Sequence, residues 1–583
     1  MVSHLPNFYD EKLVSDWRSG RLGRVDQVEI LWHKELGQLK GGPFGGWLFR
    51  SPENILFEVA PHSLLHVVHL LGELDSINVD VKDKIELPRG LEFYRLWEIQ
   101  GWKGNTSVRL RYSYIDGYPE HYIHVRGTNA VATVDFENNT YVCQEHTPYL
   151  LDIDRYVNVL STARNSVVQA SSTLGNFVLS KMGLSKNSGP FPFSIARTVE
   201  SFYQGRKTTL DERISPATGE AAVALAEWIA KEANLPTPEI SVPETVPPCQ
   251  KSTVLVTGGT GFIGQALVKR LRQEGYGVRI LSRNPQNCPP ELLSLEVELA
   301  KGDFSDTEAV EKALEGIRYV YHLARGSGNT WSEFLKFDVE PTVNFAKLCL
   351  KHGVERLFYT SSIALYYTGE PGETITEETQ PHQGMLRVQP YARSKLENER
   401  LLLELHRQKG LPVVIFRPGI VLGSGGSPYH WGVAGWPYSS VSALWGDGNN
   451  QLPIVLVDDV ADAMVKAIDV PGIDGESYNL SSIPCITANE YLDEFEHRAQ
   501  IKLKRVATPN WRYYSEALAK WAIKSIGRSS EAPFPSYADC QGRSFAAVFD
   551  CSKAESQLGW SPAKDREKIV REGIYVPVDE FLI

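Results

Sequence analysis

Val254-Leu-Val-Thr-Gly-Gly-Thr-Gly-Phe-Ile-Gly264 decides how the second half of this chain is read. A short β-branched run ends in a cluster of glycines and leads into Gln265-Ala-Leu-Val-Lys-Arg-Leu271, which has helical spacing. Strand, tight turn and helix N-terminus in succession make the unit that seats a dinucleotide pyrophosphate. The backbone N–H groups and the helix dipole there favour a phosphate. Two glycine registers satisfy the pattern, Gly258/Gly261/Gly264 and Gly259/Gly261/Gly264. About 250 residues precede the turn, so it opens a second module rather than the first.

Strands and helices alternate after it. Apolar runs at Gly277–Leu281, Leu295–Leu299, Ile317–Leu323, Arg356–Thr360 and Leu411–Phe416 read as strands. Asp306–Leu314, Trp331–His352 and Tyr391–Gln408 have helical periodicity. That alternation predicts an α/β fold, a doubly wound parallel sheet with helices on both faces, followed by a small C-terminal substrate subdomain. Thr360-Ser361-Ser362 closes one strand, and Tyr391-Ala-Arg-Ser-Lys395 opens a helix. Residues four apart share a helix face, so Tyr391 and Lys395 point the same way. A phenol of pKa about 10 is a poor base at neutral pH, but an adjacent ammonium favours the phenolate. A nearby serine hydroxyl can hold the substrate oxygen while the proton moves.

These residues resemble the extended short-chain dehydrogenase/reductase superfamily, in its NAD-dependent epimerase/dehydratase branch. Further carriers are Gly302-Asp303, His322-Leu-Ala324, Arg417-Pro-Gly-Ile-Val-Leu-Gly423, Val457-Asp-Asp-Val-Ala-Asp-Ala463 and Leu558-Gly-Trp560. The resemblance spans essentially all of 252–583. It implies that Tyr391 is the acid/base, that Lys395 lowers its pKa and holds the nicotinamide ribose, and that Ser362 binds the reacting oxygen. Gly258, Gly261, Phe262, Ile263, Gly264, Ser282, Arg283, Asp303, Leu323 and Ala324, with Tyr391 and Lys395, are the expected cofactor contacts, and Asp303 meets adenine. Asp458 and Asp459 are expected to tie the substrate region to the sheet. No metal site is expected.

Cofactor choice follows from charge. The second strand ends Ile280-Leu-Ser-Arg-Asn284, with Ser282 where an NAD site carries an acid and Arg283 beside it. An arginine can pair with a 2′-phosphate, and the missing carboxylate removes a repulsion, so NADP is expected and NAD is possible. No acidic residue follows Ser362, which disfavours elimination and decarboxylation. Epimerisation or net oxidoreduction remains, on a sugar that the resemblance suggests is nucleotide-linked, in surface-polysaccharide synthesis. The rival reading is a non-catalytic NADP-binding scaffold, or a net reductase of a non-sugar ketone or aldehyde. Substrate contacts are expected in 423–450, rich in Gly, Ser, Pro and aromatics, and in 484–545. In the latter, Asn510–Arg528 carries an apolar stripe, read as core packing rather than a membrane face.

Before the turn, Leu235-Pro-Thr-Pro-Glu-Ile-Ser-Val-Pro-Glu-Thr-Val-Pro-Pro248 makes a semi-extended linker, assigned to 236–251. Residues 1–235 have their own core. Asp10–Arg18, His62–Leu71 and Ala221–Ala233 read as helices. Val25–Trp32, Leu91–Trp97, Ser107–Tyr114, Tyr122–Arg126 and Ala130–Phe136 read as strands, giving an α+β domain with a largely antiparallel sheet. This half resembles the C-terminal domain of Gfo/Idh/MocA oxidoreductases, through Ser19-Gly-Arg-Leu-Gly-Arg24, Ala60-Pro-His-Ser-Leu-Leu-His-Val-Val-His-Leu-Leu-Gly72 and Arg126-Gly-Thr-Asn-Ala130. Those enzymes place a Rossmann domain before this one, and here the chain begins after it. The family histidine corresponds to His62, but Leu65 stands where its acidic partner is expected. The half therefore reads as a former catalytic domain that now dimerises, docks, or completes a split enzyme with another chain.

The chain has 583 residues and a net charge of −11, with 42% hydrophobic and 22% charged residues. That balance argues against a nucleic-acid surface or a polybasic membrane patch, and membrane contact is not expected. Seven scattered cysteines without a C-x-x-C pair read as reduced thiols in a cytoplasmic protein. The N-terminus lacks the basic and apolar regions of a signal peptide. A homodimer is expected.

Overall fold

A computed structural model describes residues 8–582, except 41–43, 45, 88–90, 183, 186–188, 207–209, 237–251, 483–485 and 527–532. The linker assigned to 236–251 therefore lies almost wholly outside the described residues. The chain forms two compact units, built chiefly from residues 8–236 and 252–582.

The first unit begins with helix α1 (Phe8–Arg18), strand β1 (Val25–His33) and helix α2 (Asn54–Leu71). Strands β2 (Ser76–Leu87), β3 (Leu91–Lys103), β4 (Thr106–Ser113), β5 (Glu120–Gly127), β6 (Ala130–Asp135) and β7 (Thr140–Glu145) follow. They form one seven-stranded sheet in the order β2-β3-β4-β1-β5-β6-β7. Every pairing is antiparallel except that of β1 with β4. Alternation explains its two faces. Val28, Ile30 and Trp32 of β1 are buried, whereas their odd-numbered neighbours are not. The solvated face carries ion pairs such as Lys82 with Glu98 across β2 and β3. Helix α2 is apolar and long enough to cross a membrane by length and composition. Leu64, Val67 and eight others of its residues are buried, however, as in a core helix.

Three helices complete the unit: α3 (Leu151–Lys181), α4 (Pro190–Gly205) and α5 (Pro216–Ala233). Ser215 caps α5 by accepting the Thr218 N–H at 3.1 Å. The 31-residue α3, the 16-residue α4 and the strands β2 and β7 are elements the sequence reading did not anticipate. Strand β2 was missed because its alternating charges left no apolar run to see.

In the second unit, β8 (Val254–Thr257), α6 (Phe262–Gln273), β9 (Val278–Ser282), β10 (Glu298–Lys301), α7 (Thr307–Leu314) and β11 (Tyr319–His322) alternate as expected. The third strand starts three residues later than its apolar run suggested. Trp331–Phe334, a π-helical turn at Leu335–Val339 and α8 (Glu340–Lys351) follow one another directly, and then β12 (Arg356–Thr360), α9 (Pro390–Lys409) and β13 (Val413–Pro418). Helix α10 (Val457–Lys466) and strand β14 (Ser477–Leu480) complete the layer. The sheet runs β10-β9-β8-β11-β12-β13-β14 and is parallel throughout. Both faces are covered: Val254 and Val256 enter one apolar cluster, while Leu255 between them enters another.

A third cluster fills the C-terminal part of the unit. In a small sheet over it, Val441–Trp445 is the central strand, pairing with Ala434–Tyr438 on one side and Lys504–Thr508 on the other. The glycine- and aromatic-rich segment 423–450 thus supplies two of these strands. Its aromatics stack on each other, with Tyr429 5.0 Å from Trp436 and Trp431 5.2 Å from Trp445. The stripe on Asn510–Ile526, expected to pack in the core, is only partly covered: Tyr514 meets Tyr537 and Trp521 meets Phe534, but Trp511 is 64% exposed.

Candidate active site

The first functional element is the turn between β8 and α6. Gly258 has φ +74°, and a Cβ there would lie 2.8 Å from the Ala324 nitrogen. A Cβ on Gly264 would lie 2.2 Å from the Gly258 carbonyl oxygen. Both positions accept only glycine, which selects the Gly258/Gly261/Gly264 register. Gly261 is the N-cap of α6, so Phe262 and Ile263 sit in its first turn with their N–H groups facing outward along the axis. Gly264, Leu267, Val268 and Leu271 are the buried stripe that fixes the helix on the sheet.

Reversal of strand order at β8 and β11 creates a crevice at the strand C-termini. Register places Thr257, His322 and Tyr359 side by side there. His322 is fully buried between two hydroxyls, Nδ1 2.7 Å from Thr257 Oγ1 and Nε2 3.2 Å from Thr342 Oγ1. Burial, helped by the charge of Lys395, pushes its pKa down to about 3, so the ring is neutral. Thr257 Oγ1 in turn accepts the Ala324 N–H at 3.3 Å. The histidine thereby fixes the backbone of Leu323 and Ala324, two expected cofactor contacts.

At the far end of β9, Ser282 accepts the Asn284 N–H at 3.3 Å, and Arg283 projects into solvent with 78% of its side chain exposed. Its Nε lies 3.7 Å from Asp303, whose Oδ1 is held by the Ser305 N–H and hydroxyl at 2.9 and 2.7 Å. Ser282, Arg283 and Asp303 thus share one rim of the crevice.

On the other side stands α9. Pro390 occupies its first turn and Gly410, at φ +72°, ends it. Lys395 is almost fully buried, its Nζ donating to the Thr360 carbonyl at 2.9 Å and to the Tyr359 hydroxyl at 3.3 Å. Tyr391 lies one turn earlier on the same face and is half-buried. Ser362 follows Thr360, and its hydroxyl caps the short turn Ile363–Leu365 by accepting the Ala364 N–H at 3.2 Å. The end of β12 therefore carries both the carbonyl that holds Lys395 and the serine expected to hold substrate oxygen.

Sequence reasoning missed the groups that brace this helix. Asp338, buried on the π-helical turn, accepts the Gly326 N–H at 2.7 Å and the Asn398 side-chain amide at 3.1 Å. One carboxylate thus joins the loop after β11, the helix before α8 and helix α9. Its signal was present in the sequence: Phe334, Asp338, Thr342 and Phe345 lie on one helix face that is otherwise apolar. Glu399, one turn beyond Lys395, forms a buried ion pair with Arg417 at 2.6 Å. Arg417 also donates to the Tyr366 hydroxyl and to the Glu377 carbonyl. Asp459 accepts the Ala563 N–H at 2.8 Å and receives the Trp560 indole on its carbonyl, tying the C-terminal segment to α10. Asp458, expected to share that role, is exposed.

Arg325 was also missed. Its guanidinium lies 5.2 Å from the centre of the Tyr391 ring, and among the described residues it has no carboxylate partner. His62 of the first unit is half-buried on α2, its ring 6.0 Å from Trp32. Leu65 is buried in the core. Cys143, Cys349, Cys540 and Cys551 are free thiols, and no group of three metal-ligating side chains occurs among the described residues.

The model of the NAD dependent epimerase/dehydratase family matches residues 254–481. An uncharacterised protein of Sinorhizobium fredii, y4nG, is 31% identical over 328 residues, covering 55% of this chain and 77% of that protein. The chain belongs to the NAD-dependent epimerase/dehydratase family. A 2-alkyl-3-oxoalkanoate reductase of Stenotrophomonas maltophilia is 30% identical over 236 residues, 39% of this chain and 70% of the relative. A putative UDP-glucose 4-epimerase of Methanocaldococcus jannaschii is 26% identical over 339 residues, 55% and 95%. The protein is accordingly an NAD(P)-dependent enzyme of the extended short-chain dehydrogenase type.

Proposed function

We propose that the second unit interconverts a secondary alcohol and a ketone, with Tyr391 as acid/base, Lys395 as its electrostatic support and Ser362 as the anchor for the reacting oxygen. The observation that carries this reading is Lys395: a buried ammonium held at 2.9 Å by the Thr360 carbonyl, one turn below Tyr391. In this reading the Tyr391 oxygen accepts the hydroxyl proton during oxidation and returns it during reduction. The glycine cradle and the open N-terminus of α6 suit a dinucleotide pyrophosphate. When bound, the nicotinamide supplies or accepts the hydride. Arg283 at the rim, with Ser282 in place of an acid, supports NADP over NAD.

For the substrate, a nucleotide-linked sugar hydroxyl is supported by the archaeal epimerase relative and by the absence of an acid after Ser362. A second reading is favoured by Arg325. A cation 5.2 Å from the Tyr391 ring with no carboxylate partner suits a substrate anion close to the reacting carbon, as in a 3-oxo acid. The name of the Stenotrophomonas relative describes that class. Purified protein incubated with UDP-glucose and oxidised NADP or NAD, and with a 2-alkyl-3-oxoalkanoate and NADPH, separates the two. UDP-glucose yielding UDP-galactose supports the sugar reading. NADPH consumption with a 2-alkyl-3-oxoalkanoate, lost in Arg325→Ala, supports the other. No turnover with any hydroxyl or keto compound in either direction would contradict the enzymatic proposal. For the first unit, we keep the reading of a domain like the C-terminal domain of Gfo/Idh/MocA oxidoreductases. Its mixed sheet with α2 and α5 on one face supports this.

A further inference from the structure

Alternation along β12 sends Leu357 and Tyr359 into one apolar cluster, with Phe345 of α8, Leu402 of α9 and Ile415 of β13. Phe358 between them enters the cluster on the other face. A phenylalanine would fill the position of Tyr359. The tyrosine instead carries a hydroxyl into the apolar layer, with 1% of the residue exposed. A buried hydroxyl costs free energy unless it is hydrogen-bonded. Its partner is Lys395, whose Nζ donates to it at 3.3 Å and lies 4.9 Å from the centre of the same ring. Tyr359 therefore holds the ammonium in two ways, through its π face and through its oxygen.

Charge explains why that oxygen matters. Among the described residues Lys395 bonds only to neutral groups, the Thr360 carbonyl at 2.9 Å and the Tyr359 hydroxyl. Asp338, equally buried, also bonds only to neutral groups, the Gly326 N–H and the Asn398 amide. A buried cation and a buried carboxylate thus lie near each other without a direct ion pair, and Tyr359 stands between them. Burial pushes its pKa well above the ordinary value of 10, the charge of Asp338 pushes it further, and a hydrogen bond with Asn398 opposes both. The hydroxyl stays protonated as a result and is a fixed acceptor for the ammonium. An ammonium has three N–H donors. Thr360 and Tyr359 take two, which leaves one for a group in the crevice. Without the Tyr359 oxygen, the four rotatable bonds of the lysine would be restrained by one carbonyl alone.

We infer that Tyr359 is a positioning residue of the proposed reaction: its hydroxyl and ring aim the Lys395 ammonium so that the remaining N–H serves the acid/base site. The inference rests on the roles proposed for Tyr391 and Lys395. It is tested by a double-mutant cycle on the full chain, with Tyr359→Phe, Lys395→Met and the pair. Single-turnover hydride transfer is followed with UDP-glucose and oxidised NADP, and with a 2-alkyl-3-oxoalkanoate and NADPH. Tyr359→Phe deletes one oxygen and keeps the ring, so its circular dichroism should match the wild type. It is expected to slow hydride transfer about tenfold, the size of one hydrogen bond to a charged group, with KM within about twofold of wild type. In the Lys395→Met background the same change is expected to make no further difference, because the tyrosine acts only through the lysine. Tyr359→Phe at the wild-type rate overturns the inference and leaves the roles of Tyr391 and Lys395 standing. So does an equal slowing by Tyr359→Phe in both backgrounds, which would show a merely structural effect. Lys395→Met at the wild-type rate overturns those roles, and the inference with them.

Discussion

Helices α9 and α3 both lie on a sheet with polar side chains facing inward, and they do so for opposite reasons. On α9, Lys395, Asn398 and Glu399 are buried, and each reaches a group from another element: Thr360, Asp338 and Arg417. The apolar residues Leu402 and Leu405 share that face, so packing and a polar network act together. On α3 the inward polar groups only satisfy the backbone and side chains of an edge strand, and the apolar residues are left outside. Buried polar groups that converge on a strand end build a site. Buried polar groups that line an edge leave the apolar face exposed. Periodicity alone is the same in both cases.

The comparison can be broken most strongly at Glu399. Its replacement by Ala leaves Arg417 buried and unpaired, and is expected to cost about 3–5 kcal/mol of stability in urea unfolding. Lys395→Met should fold but lose turnover by roughly a hundred- to a thousandfold, about 3–4 kcal/mol, with NADPH still bound. On α3, by contrast, Val167→Asp/Leu174→Asp should leave both stability and NADPH binding unaltered. A change comparable to that of Glu399→Ala would show the outward face to be core.

His322 gives a smaller effect with a defined sign. Its folded pKa, about 3, lies below the unfolded value near 6.5, so the unfolded state binds more protons between them. Stability should therefore fall as pH drops from 6.5 toward 4.5, with His322 contributing roughly 2 kcal/mol. Half-buried His430, pushed down to about 4 by desolvation, should act in the same direction. His322→Gln should flatten that slope in urea titrations at several pH values. Arg283→Ala, at the exposed rim, should shift the NADP-to-NAD preference by only about tenfold, read as the ratio of kcat/KM values. The smallest effect expected is that of Gln169→Ala, about 1 kcal/mol, seen as faster amide exchange in α3 with activity unchanged.

Most of the second unit was legible in the sequence because its strands are buried on both faces and read as apolar runs between glycines. The candidate residues Gly258, Ser362, Tyr391 and Lys395 carry local spacing, so they could be named from it. Asp338, Asn398 and Arg325 act through neighbours far apart in sequence, and no local spacing reports such a pairing. Strand β2 was missed because its outward residues alternate in charge rather than forming an apolar run. Helix α3 escaped for a different reason. Its Ser, Thr and Asn weaken a helical reading, and its apolar stripe looks like a core stripe until the structure shows which side meets the sheet.

The account rests on Tyr391 and is tested most directly by Tyr391→Phe, with NADPH affinity and hydride transfer measured on the same preparation. The expected result is NADPH binding within about twofold of wild type and hydride transfer reduced by at least a hundredfold, the range of general acid–base catalysis. Hydride transfer at the wild-type rate would contradict it.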